Sequence, residues 1–193
     1  MSINCDYIGI EEYSRLFGFL ANNYFAGYGV DANVIEVLER TGYKIEKMNY
    51  IEIGATHPIL GSATYAMYLK GARGVLVEPN PDCISEMKRL RPDDICLNCG
   101  VGAENETLKF YRFDNKYRNS FDISVVNENI GKGYKLIDEI DIEVKTLETI
   151  IDESGLDVSS TYISLQVLGL EYEILRKFDY KKYNFPIIRV ACY

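Results

Sequence analysis

The chain predicts an α/β domain, a mostly parallel β-sheet with helices on both faces, and reads as one domain over residues 1–193. Three observations carry that expectation. Short apolar runs at 48–54, 72–78, 94–100, 161–167 and 187–193 have the length of buried strands. Between them lie segments whose apolar residues recur at three-and-four spacing, the period of a helix packed by one face. Strand and helix also alternate in order, and short crossovers of that kind produce parallel pairing.

Residues 1–48 read as a helical segment preceding a sheet core at 49–193. Tyr13, Leu16, Phe17 and Leu20 share one helical face, and Val34, Ile35 and Leu38 share a second, with Gly42 as its stop. The first strand, 48–54, ends at Gly54; a helix over 62–71 ends at Gly71; the second strand covers 72–78. Asn80 is then a helix N-cap with Pro81 at the first helical position, and Ile84, Met87 and Leu90 form the buried face. The third strand is 94–100. Residues 107–113 and 141–147 alternate apolar and polar, which suggests an antiparallel pair or an edge addition, with a polar loop between them. A short helix at Leu147, Ile150 and Ile151, a fourth strand at 161–167, a helix at 170–178 and a fifth strand at 187–193 complete the order.

Composition narrows the partners. A net charge of −8 argues against a broad nucleic-acid or anionic-membrane surface, because phosphate binding needs clustered Lys and Arg. No stretch approaches the ~20 apolar residues of a membrane span, and the N-terminus lacks a basic flank with an apolar run, so the cytoplasm is the expected compartment. The five cysteines (Cys5, Cys83, Cys96, Cys99, Cys192) are odd in number and match no disulfide framework. Cys96 and Cys99 form a C-x-x-C, open to a redox or half-zinc reading. No second Cys/His pair completes a site, and no metal is expected.

In open parallel sheets, ligands bind at the carboxyl ends of the strands, where strand order reverses. Glu52 and Gly54 close the first strand and Glu78 the second. A carboxylate at the second strand end accepts both ribose hydroxyls of an adenosine ligand, and this position alone suits a nicotinamide cofactor equally well. The loop after strand one discriminates. A dinucleotide fingerprint reads G-x-G-x-x-G, whereas here the residues run Gly54-Ala55-Thr56-His57-Pro58-Ile59-Leu60-Gly61. Pro58 removes an amide donor and only one glycine lies in the first turn. That is a poor pyrophosphate cradle, compatible with a cofactor that carries no diphosphate.

The run IEIGATHPILGSATYAMYLKGARGVLVEPNPDCISEMKRLRPDDICLNCGVG resembles the FkbM-type methyltransferases, and the likeness resumes in EVKTLETII and in ISLQVLGLEYEILRKFDYKKY. It covers most of residues 48–190. The resemblance implies a Rossmann-like methyltransferase fold and transfer of methyl groups from S-adenosylmethionine, usually to oxygen. It further implies that Glu52, Gly54 and Ala55, with Thr56, lie along the methionine and ribose portions. Glu78 would bind the ribose hydroxyls, and Asn98, Cys99 and Gly100 would border the adenine.

Two departures stand out. Members of that family usually carry I-D-V-E-G at the fourth strand, where this chain has Leu165-Gln166-Val167-Leu168-Gly169. Gln166 still hydrogen-bonds but is no general base. The sequence also stops at Tyr193, so the last two strands of the usual seven-stranded sheet are expected to be missing, leaving an edge that is exposed, covered by the central pair, or closed by a homodimer.

His57, the only histidine, is a candidate base or a loop-fixing hydrogen-bond partner, and Gln166 is the residue at the fourth strand end. Ser120 and Arg118 are candidates for the acceptor side, Arg118 within a small cluster of Arg112 and Lys116 with Tyr111 and Tyr117. The expected activity is S-adenosylmethionine-dependent methylation of a small or glycan acceptor such as a sugar hydroxyl. The alternative is a degenerate relative that serves as a binding or scaffold protein.

Overall fold

The computed structural model describes residues 25–191, so the helix expected around Tyr13–Leu20 lies outside the described residues, as do Cys5 and Cys192. In chain order the strands are β1 (Asn49–Ile53), β2 (Arg73–Val77), β3 (Ile95–Leu97), β4 (Gly100–Gly102), β5 (Glu106–Phe113), β6 (Leu136–Thr146), β7 (Thr161–Leu165) and β8 (Ile187–Val190). The helices are α1 (Val30–Arg40), α2 (Tyr65–Leu69), α3 (Pro81–Leu90), α4 (Ile123–Gly131), α5 (Leu147–Ser154) and α6 (Glu171–Lys177).

The main sheet has five strands in the order β3-β2-β1-β7-β8, every pair parallel. Alternation along each strand assigns residues to two layers. Tyr50, Leu76 and Tyr162 face a layer packed by Val34, Ile35 and Leu38 of α1, Met67 of α2 and Met87 of α3. Ile51, Ile53, Val75, Val77, Ile163 and Leu165 face the opposite layer, packed by Ile150 and Ile151 of α5 and Ile174 of α6. Both faces are covered, which is why these strands read as continuous apolar runs. The start of α3 is as its residues dictate: Asn80 caps it by accepting from the Asp82 amide (3.2 Å), and Pro81 takes the first position.

Three expectations are corrected, and of the alternatives for the outer edge one is excluded. The run at 94–100 is two strands in two sheets. Asn98 donates to the carbonyls of Glu78 and Pro79 (both 2.9 Å), which turns the chain out of the main sheet after Leu97. β4 then joins a three-stranded sheet of order β4-β6-β5, parallel to β6, with β5 antiparallel to β6. The polar segment after β5 is also not all loop. A 3-10 turn at Lys116–Arg118 leads to α4, which Asp122 caps by accepting from the Ser124 amide (2.7 Å). The helix at 62–71 shrinks to α2 because the Ser62 and Thr64 side chains are bound to Glu52. Finally, the β5–β6 pair belongs to the second sheet and does not cover β8; among the described residues no strand pairs with that outer edge. Among those residues no helix is long and apolar enough to cross a membrane.

Candidate functional site

The chain leaves β1 toward β2 and β3 and returns through β7 toward β8, so strand order reverses between β1 and β7. A cavity of about 740 Å³ opens there, within the usual range for small-molecule sites. One wall is built from the strand ends: Ile53, Gly54 and Thr56 after β1, Val77 and Glu78 after β2, and Gln166, Val167 and Leu168 after β7. The facing wall comes from the second sheet and its connection, with Phe110, residues 116–121, Val125 and Asn129.

The strand-end loops hold unusual backbone. Thr56 (φ 48°) and Leu168 (φ 54°) occupy the left-handed region, which costs a non-glycine residue about 1–3 kcal/mol and persists only where the surroundings enforce it. Here two carboxylates enforce it. Glu78 Oε2 accepts from the Thr56 amide (2.8 Å). Glu171 Oε1 accepts from the amides of Val167 (3.0 Å) and Leu168 (2.9 Å), and its Oε2 from Gly169 (2.9 Å). Glu171 escaped the sequence reading, although an acid just inside a helix start, after a glycine, is a capping signal.

Glu78 is the titratable group most exposed to consequence. Its side chain is buried, and its Oε1 accepts from the Asn80 amide (2.8 Å). Burial pushes its carboxyl up to about 7, against the opposing pull of the amides of Asn80 and Thr56 and of Lys116. A carboxyl raised in the fold favours folding fully below the ordinary glutamate value of 4.5, and that contribution is lost as pH rises through 7. Burial of Glu78 should thus cost on the order of 3 kcal/mol by pH 8. Urea midpoints of the parent and of Glu78→Gln, compared from pH 5 to 8, are expected to show a flatter profile for the variant. Parallel profiles would mean that Glu78 is ionised throughout.

The remaining candidates separate into two sets. Gly54, Thr56, Glu78, Cys99, Gly100, Arg118, Ser120 and Gln166 line the cavity. Cys99 is a buried free thiol, which burial pushes up to about 11, so it acts as apolar wall. Gly100 has no room for a side chain, since a Cβ there would sit 2.6 Å from the Phe121 ring. Ser120 is buried; its Oγ accepts from the Asp122 amide (3.0 Å) and donates to the Leu168 carbonyl (3.5 Å). Gln166 Oε1 accepts from Arg189 Nη1 (3.3 Å).

Glu52, Ala55, His57 and Asn98 lie outside the lining. The Glu52 carboxylate turns into the α1–α3 layer, where it accepts from Ser62 Oγ (2.7 Å), the Ala63 amide (2.8 Å) and Thr64 Oγ1, and faces Arg91 Nη1 at 3.5 Å. His57 Nδ1 accepts from the amides of Ile59 (3.0 Å) and Leu60 (2.9 Å), which assigns its proton to Nε2, 3.8 Å from Glu86. This is the loop-fixing arrangement. Arg112 leaves the basic cluster as well, held by Asp138 (2.7 and 2.6 Å) and Asp82 (2.8 Å). Among the described residues no group of three or more His, Cys, Asp or Glu is placed to hold a metal.

A parallel sheet of this order, helices on both faces and a cavity at the carboxyl strand ends beside a buried acid define a Rossmann-like α/β protein. A family model, the methyltransferase FkbM domain, matches residues 52–192, and the chain belongs to that family. No curated protein and no solved structure matches the chain.

Proposed function

We propose that the protein is an S-adenosylmethionine-dependent methyltransferase acting in the cytoplasm on a hydroxyl of a small acceptor such as a sugar. The observation that carries this reading is Glu78: a buried carboxylate at the end of β2, lining the cavity, with each oxygen oriented by one backbone amide and a lone pair left over for a ribose hydroxyl. The residues present suit such a cofactor. Val77, Cys99 and Gly100 offer an apolar border for a base, and the turn at Gly54 and Thr56 makes no demand for a diphosphate.

When bound, S-adenosylmethionine supplies an electrophilic methyl carbon on a sulfonium. The work of the chain is then to position the reactants and exclude water, a task that contributes much of the barrier reduction in a two-substrate displacement. Ser120 and Gln166 stand on the acceptor side as hydrogen-bonding groups, and Tyr117, Phe121 and Tyr172 give it aromatic surfaces against which a sugar ring packs. Glu171 supplies no base, because its oxygens are committed to the amides of residues 167–169.

Isothermal titration with S-adenosylhomocysteine tests the cofactor site. Roughly micromolar binding is expected, and Glu78→Ala should weaken it at least about tenfold, the worth of one charge-assisted hydrogen bond. Equal affinities would sink the ribose role of Glu78. A second reading, a binding or scaffold protein, is favoured by Gln166, whose amide stands where the family usually has an acid and is engaged by Arg189. Absence of binding at millimolar ligand would select it, and methyl transfer to any sugar acceptor would eliminate it.

A further inference from the structure

Arg118 differs in one respect from Arg91, Arg112 and Arg189. Arg91 is satisfied by Glu52 and Asp94, Arg112 by Asp138 and Asp82, and Arg189 donates to Ser164 and Gln166. Arg118 lines the cavity, yet its Nε is buried with no hydrogen-bond partner, and among the described residues no carboxylate pairs with its guanidinium within 4 Å. The side chain is nonetheless held in place. Its guanidinium carbon lies 4.7 Å from the centroid of the Tyr134 ring, and its own carbonyl accepts from the buried Asn129 side chain (3.0 Å).

Its segment reaches the acceptor side of the cavity, while Lys116, two residues earlier on the same turn, acts on Glu78. The segment that carries Arg118 reaches the end of β7 through Ser120, which touches the Leu168 carbonyl, and through Asp122, which crowds Gly169. Glu78 and the Gly54 turn belong instead to the ends of β2 and β1. A planar guanidinium fork matches the paired oxygens of a carboxylate or phosphate. Lys132, also on the lining, is paired with Glu128, whose carboxylate also feels Arg118, and Lys116 lies over the Tyr117 ring.

We infer that Arg118 binds an anionic group, a carboxylate or a phosphate, on the acceptor, so that the preferred substrates are acidic or phosphorylated hydroxyl compounds and not neutral sugars. This inference rests on the transferase reading above and names its substrate class.

The test uses the full chain and three probes: glucuronate, glucose 6-phosphate and methyl glucoside, each titrated with and without saturating S-adenosylhomocysteine. One of the two anions is expected to bind at least about tenfold more tightly than the neutral probe, as for a single charge-assisted contact. The preferred anion tells carboxylate from phosphate. Arg118→Met should abolish the preference, and Arg118→Lys should keep part of it. If the methionine variant fails to fold, Arg118→Lys carries the test, with a loss of preference of about threefold or more expected. No anion preference in the parent, or an unchanged preference in the variants, overturns the inference. So does weakened binding of S-adenosylhomocysteine, but not of 5′-methylthioadenosine, by Arg118→Met, since the guanidinium would then be holding the amino-acid carboxylate of the cofactor. Failure of the parent to bind S-adenosylhomocysteine would strike the cofactor reading alone, because the probe series without it still decides the role of Arg118.

Discussion

Replacing Arg91 by methionine is expected to destabilise the protein by about 3–5 kcal/mol, the usual cost of leaving a buried ion without its partner. Arg91 is fully buried at the end of α3. It donates through Nε to Asp94 (2.7 Å), through Nη2 to Thr64 Oγ1 (2.9 Å) and through Nη1 to Ser62 Oγ (3.2 Å), with Glu52 at 3.5 Å. Tyr50 and Tyr68 present their rings to it at 5.0 and 5.2 Å. Burial alone would work against its charge, but Glu52, Tyr50 and Asp94 more than restore it. Methionine fills similar volume and removes the charge, so what remains is two buried carboxylates, Glu52 and Asp94, without their cation. Urea unfolding at neutral pH measures the loss. A double variant, Arg91→Met with Glu52→Gln, is expected to recover part of it, because it removes one of the two carboxylates left without a cation and leaves Asp94. A loss under about 1 kcal/mol in the single variant would mean that the pair contributes nothing net.

Gly54→Ala is the second large effect, at about 3–5 kcal/mol, combining left-handed strain with overpacking against backbone. Gly54 has φ 75°, and a Cβ there would meet the Gln166 carbonyl oxygen at 1.9 Å. Neither side can yield easily. Gln166 donates its amide to the Ile53 carbonyl (3.1 Å), and Gly54 donates to Val77 (2.9 Å), so the turn is tied to both neighbouring strands. Gly61 provides the control. Its φ of 79° is similar, but a Cβ at that position would have nothing within 4 Å, so Gly61→Ala should cost only about 1–2 kcal/mol. Equal urea midpoints for the two variants would show that the close approach of β1 and β7 is soft.

Much of the architecture was legible because local pattern and burial coincide. The apolar runs at 48–54, 72–78 and 161–167 alternate between two covered layers, and Asn80-Pro81 announces α3 without help from distant residues. Glu78 was legible as a cavity residue because it follows the last residue of β2, at the carboxyl edge of the parallel sheet where ligands bind. α4 was not, although Asp122 followed by Ile123, Val126 and Ile130 is a capped helical spacing; the surrounding polar residues masked it. The split after Leu97 was hidden in another way, since it depends on Asn98 reaching carbonyls of a different strand end.

By itself, then, the sequence determined the alternation of strands and helices, the parallel sheet with both faces covered, the family, and the acid at the end of β2. The tertiary structure alone decided which way the candidate side chains turn. Glu52 lies within β1 and Glu78 just past the end of β2, and one carboxylate enters the core to meet Arg91 while the other lines the cavity. His57 spends its Nδ1 on the amides of its own loop, and Gln166 meets Arg189 from the neighbouring strand. Periodicity reports whether a position is buried, because burial follows from the face of an element. The partner of a polar side chain depends on residues brought from tens of positions away, and no local pattern carries that information.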